Sequence, residues 1–106
     1  QETVTQSGGE RQMASLGRAL MSGPKLLMVD EPTIGLAPKV CLEIASALKL
    51  LNQKLGLTIV ITEQNVNFAM SLAEEVYVLE TGQIKDHGSP ADLAASSDIA
   101  ESYFGR

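Results

Sequence analysis

Asp30 and Glu31 stand side by side directly after the apolar run Leu26-Leu27-Met28-Val29. Two adjacent acids at the end of a buried strand suit a hard cation and a water. The first carboxylate can hold Mg²⁺, largely through the ion's own waters. The second can orient or deprotonate an attacking water for phosphoryl transfer. In open α/β sheets ligands collect beyond the carboxyl ends of the strands, which is where this pair would lie. Asp-Glu-Pro is also ordinary turn chemistry, so the pair alone leaves both readings open. Upstream lies Ser7-Gly8-Gly9-Glu10-Arg11-Gln12, ahead of a helical pattern. Its glycines let a backbone approach a ligand closely, and free N–H groups at a helix start favour phosphate oxygens. Ser7 adds a hydroxyl at the same place. Ser-x-x-Glu is equally a capping box that any helix can use.

These residues need elements to position them, and Gly and Pro mark where those elements break. After Gly8-Gly9, Met13, Leu16 and Leu20 recur at helical spacing until Gly23-Pro24. Leu26 to Val29 then reads as a short parallel strand, buried on both faces. Pro38 opens a second helix whose stripe is Ile44, Leu48, Leu51 and Leu55, and Gly56 closes it. Thr58-Ile59-Val60-Ile61-Thr62 is a second buried strand, rich in β-branched residues. A third helix is predicted from about Asn65 to Glu74, with Val66, Ala69, Met70 and Ala73 on one side. Val76–Glu80 and Gln83–Lys85 flank Thr81-Gly82 as a β-hairpin, and Pro90 to Phe104 reads as one or two short helices. His87 is placed in a solvated loop after the hairpin, and Cys41 in a buried structural position on the second helix. This order predicts an α/β protein with a mainly parallel sheet, flanking helices and a C-terminal hairpin.

Composition narrows the class. At 106 residues, with 44% hydrophobic and 20% charged positions, the chain can form at most one modest domain. Its apolar content is too high for a disordered tail, and its longest apolar runs are far short of a bilayer span. No basic segment followed by an apolar stretch opens it, so no signal peptide is expected. A formal charge of −5 argues against a broad nucleic-acid footprint. A single cysteine excludes an intrachain disulfide and fits a reducing compartment.

Taken together, Ser7-Gly8-Gly9-Glu10-Arg11-Gln12, Gly17-Arg18-Ala19-Leu20 and Pro24 through Thr33 resemble the C-terminal half of an ABC-type ATPase, a RecA-like P-loop NTPase domain. In that family the first segment is the signature motif and the last ends in Walker B. The resemblance implies that Asp30 lies near Mg²⁺ and that Glu31 is the catalytic base for water. It implies that Ser7, Gly8, Gly9 and Glu10 face the γ-phosphate of ATP bound by an opposite protomer. Glu10 replaces the more usual Gln and Gln6 the usual Leu. Ala37 occupies the usual Asp position of the D-loop, which weakens any transfer of D-loop hydrogen bonding.

After the second strand, Thr62-Glu63-Gln64-Asn65 places Gln64 where the family carries its switch histidine. A Gln amide can donate to a γ-phosphate but cannot titrate near neutral pH, so the role implied is positioning and sensing. Glu31 through Pro38, with Glu63-Gln64-Asn65-Val66 and Tyr77 through Gly82, is similar to the ATPase subunits of branched-chain amino-acid importers. Importers of urea and short amides share much of this pattern. A DNA-repair or chromosome-organising ABC ATPase is the rival class; no heptad run or basic stripe supports it.

A Walker A loop requires Gly-x-x-x-x-Gly-Lys-Ser/Thr, and the sequence has none. Residues 1–106 are therefore expected to be a partial nucleotide-binding domain. Such a piece should bind ATP poorly by itself and leave apolar strand surface exposed. The resemblance further implies a second nucleotide-binding subunit, membrane permease subunits, an indirectly coupled solute-binding protein, no nucleic acid, and a peripheral place on the cytoplasmic face of the membrane.

Overall fold

The computed structural model describes residues 8–96. Contacts divide the chain into two compact units, with the boundary between Glu63 and Gln64. In the first unit, α1 (Gly8–Leu20) is followed by β1 (Leu26–Asp30), α2 (Pro38–Leu55) and β2 (Thr58–Thr62). Leu16 is the buried anchor of α1, whereas Met13 is 43% exposed. Arg18 in the last turn complements the helix dipole. Pro38 sits at the first turn of α2, where its missing N–H is not needed. Gly56 ends that helix at φ 65°, a left-handed conformation that a side chain disfavours. The Asn52 amide then donates to the Leu57 carbonyl at 2.8 Å, tying the helix end to the start of β2.

β1 and β2 pair in parallel, stepping from Leu26 opposite Thr58 to Asp30 opposite Thr62. α1 packs on α2, and α2 packs on β2. Ile44 and Leu48 are essentially inaccessible, and Leu27, Val29 and Leu57 are buried with them. Complete burial of side chains of this size contributes about 1.5–3 kcal/mol each. Leu55, predicted to extend this stripe, is 64% exposed because the helix ends there.

The strands are not buried on both faces. Leu27 and Val29 point inward, while Leu26 and Met28 remain 51% and 74% exposed. Side chains alternate across a strand, so a helical layer on one side of this two-stranded sheet buries only every second residue.

The second unit contains α3 (Val66–Leu72), β3 (Val76–Glu80), β4 (Gln83–Gly88) and α4 (Pro90–Ala95). Asn65 caps α3, its side-chain oxygen accepting from Phe68 N at 3.0 Å. The helix is shorter than predicted, and its buried residue is Phe68, while Val66, Ala69, Met70 and Ala73 are half-buried. Thr81 and Gly82 both have positive φ, as a two-residue turn matched to strand twist requires. The hairpin is antiparallel, with a register shift between Val78 and Leu79. His87 lies within β4 instead of a loop, stacked on Tyr77 with 5.2 Å between ring centroids. Ser89 and Asp92 form a capping box on α4, which packs on β4 and buries Leu93. The predicted helical tail beyond Ser96 lies outside the described residues. No helix among the described residues is long and apolar enough to cross a membrane.

Candidate functional site

Asp30 is the last residue of β1 and is exposed at the carboxyl end of the parallel pair. Strand pairing brings Thr62 opposite it, and the Thr62 hydroxyl donates to Asp30 Oδ1. Glu31 leaves the strand with φ 46°, a left-handed value unusual for a residue bearing a side chain. Such a conformation costs about 1–2 kcal/mol, so neighbouring contacts must hold it. They are present: Glu31 N donates to the Thr62 carbonyl at 2.8 Å and approaches the Thr62 hydroxyl at 3.1 Å. The turn redirects the chain between the two acids, so that consecutive carboxylates need not alternate as they would along a strand.

The loop that follows is fastened on two sides. Pro32 and Thr33 are buried. The Thr33 hydroxyl donates to Glu63 Oε2 at 2.9 Å. The Gln12 amide on α1 donates to the Pro32 carbonyl at 3.0 Å. Gly8 leaves room for Leu36: a β-carbon at Gly8 would stand 2.6 Å from Leu36 Cδ2. The glycine-bearing start of α1 and the loop after the acids therefore touch within one unit.

Gly8 and Gly9 form the first residues of α1, with Gly9 buried and Glu10 exposed in the first turn. The described part of α1 thus begins at the predicted glycines. Ser7 lies outside the described residues. Gln64 is exposed and opens the second unit. Cys41 is half-buried, its thiol 3.8 Å from the Leu36 carbonyl.

No cluster of three or more metal-ligating side chains occurs among the described residues. A preformed cage is not what Mg²⁺ requires. The ion keeps several waters and takes one or two carboxylates together with substrate phosphates. An exposed Asp30, with one oxygen already oriented by Thr62, fits that mode of binding.

A family model described as ABC transporter matches residues 1–34. The chain is 45% identical over 105 residues to BraG of Pseudomonas aeruginosa, a high-affinity branched-chain amino acid transport ATP-binding protein, covering 99% of this chain and 45% of that protein. Over nearly its whole length the chain is similar to part of an ABC transporter ATP-binding protein. The methionine import ATP-binding protein MetN of Lactobacillus delbrueckii is 35% identical over 101 residues, covering 93% of this chain and 29% of its own length. The chain thus spans less than half the length of these curated relatives.

Solved ABC cassettes share the fold. One, in its ADP conformation, superposes with a TM-score of 0.81 at 30% identity, covering 96% of this chain and 41% of that one. The cbiO1 protein of Clostridium perfringens, part of the transporter complex cbiONQ, gives 0.83 at 28% identity over 98% of this chain and 41% of its own. The α/β arrangement described above is that of the C-terminal part of an ABC ATPase domain.

The sequence singles out both acids and the glycines but not Thr62, Gln12 and Thr33, whose contacts hold the strand end and the loop after it. A signal for Thr62 was available. Two apolar runs that each end in a polar residue, Asp30 and Thr62, bring those residues together when the strands pair in parallel and in step.

Proposed function

We propose that this chain supplies the hydrolytic half of the ATP site, and the trans-acting signature segment, of an ABC importer ATPase. The observation that carries the reading is the Asp30–Glu31 pair, leaving a parallel strand with Glu31 held in left-handed backbone by Thr62. A Walker A segment outside these residues would cradle the phosphates, since this sequence contains none. Mg²⁺ bound with ATP would neutralise charge on the phosphates. Asp30 would hold the ion's hydration shell on the strand side, and Glu31 would orient the attacking water and accept its proton. Ser7, Gly8, Gly9 and Glu10 would meet the terminal phosphate of ATP held by a second nucleotide-binding subunit, using the N–H groups at the start of α1. Gln64 would donate its amide to the γ-phosphate as a sensor of occupancy.

Closure of the two subunits around ATP and reopening after hydrolysis would drive membrane permease subunits. The subunit would sit on the cytoplasmic face of the membrane, fed indirectly by a solute-binding protein. Likeness to BraG favours branched-chain amino acids as the cargo. In the complete ATP-binding subunit, Glu31→Gln preserves shape and removes the base. The expected result is retained ATP binding with turnover lowered by about 10²-fold or more. Steady-state hydrolysis at the parent rate would overturn the assignment.

A further inference from the structure

The Thr62 hydroxyl stands between the side chain of one acid and the backbone of the next. Its oxygen lies 3.1 Å from Glu31 N, and an N–H can only donate, so the hydroxyl accepts there. Its single proton is thereby directed to Asp30 Oδ1. The Thr62 carbonyl also receives the Glu31 N–H, at 2.8 Å. A valine at position 62 would keep this main-chain bond and the β-branched shape suited to a strand. What it would lose is the hydroxyl that orients the carboxylate. The loop keeps its separate fastenings through Thr33 to Glu63 and Gln12 to Pro32.

We propose that Thr62 is a positioning residue for the acid pair: its hydroxyl fixes the rotation of the Asp30 carboxylate so that the second oxygen faces the divalent ion. The inference rests on the reading of Asp30 as the metal-side acid. Groups that orient a metal-side ligand affect metal affinity by roughly 10–100-fold when removed.

The test uses the complete ATP-binding subunit with a non-hydrolysable ATP analogue and Mn²⁺ as the probe, with bound ion read by electron paramagnetic resonance. Thr62→Val is expected to weaken Mn²⁺ binding about tenfold. Thr62→Ser is expected to restore it to within about twofold, because it returns the hydroxyl. Affinity for the analogue without metal should not change. Hydrogen exchange at the β1 and β2 amides reports whether the strands stay paired. Should valine disturb them, Thr62→Ala lacks the same hydroxyl without added branching and carries the same expectation. Asp30→Asn separates the two levels of argument. If it leaves Mn²⁺ binding intact, the reading of the site fails. If it weakens binding while the hydroxyl-free variants bind as the parent does, the role of Thr62 alone is overturned.

Discussion

The approach of Gly8 to Leu36 joins the start of α1 to the loop after the acids, and its strength can be measured. In Gly8→Ala the new β-carbon would meet Leu36 Cδ2 at 2.6 Å. Reaching ordinary contact near 3.4 Å requires that methyl to retreat by 0.8 Å. Swung about its side-chain torsion, this is a rotation of roughly 30°, which costs about 0.5–1.5 kcal/mol. The single variant by itself is ambiguous, because alanine also gains up to about 1 kcal/mol of helix propensity over glycine. A double-mutant cycle removes that ambiguity. Leu36→Ala deletes the colliding methyl, and the propensity gain is present whether or not Leu36 is there. Leu36 is half-buried, so its own truncation should cost about 1–1.5 kcal/mol. The expected coupling is about 1 kcal/mol, with the double variant more stable than the sum of the singles predicts. Urea unfolding of the four proteins measures it through their midpoints at constant slope. Additivity within about 0.3–0.5 kcal/mol would refute the contact.

Other expectations follow from single residues. Ile44 is wholly inaccessible, so Ile44→Ala should destabilise by about 2–5 kcal/mol in the same urea series, and a change below about 1 kcal/mol would show that the core is not centred on α2. At Gly56 a β-carbon meets nothing within 4 Å, so the cost of Gly56→Ala is conformational only. About 1 kcal/mol is expected, read as a lowered thermal midpoint.

Most of the element order was legible because its signals are local. Pro38 and Gly56 bracket α2, the β-branched run becomes β2, and Thr81-Gly82 turns the hairpin. Each depends on dihedral preference or on hydrogen bonds spanning a few residues. The acids were legible too, because an apolar run that stops abruptly at two carboxylates places them at a strand end. Burial was read less well. On α3 the spacing pointed to Val66, Ala69, Met70 and Ala73, yet Phe68 is the buried residue, since a large aromatic removes more apolar surface from water.

By itself the sequence determined which segments fold locally, the placement of Asp30 and Glu31 at the strand terminus, and a family likeness strong enough to propose ATP hydrolysis. Tertiary structure decided what those residues touch. The one-to-one register of β1 with β2 set Thr62 against Asp30 and turned Glu31 into left-handed backbone. The seating of α1 brought Gly8 against Leu36 and Gln12 against Pro32. Partners far apart in sequence meet only when strands pair in a given register, and that register is a collective outcome of packing.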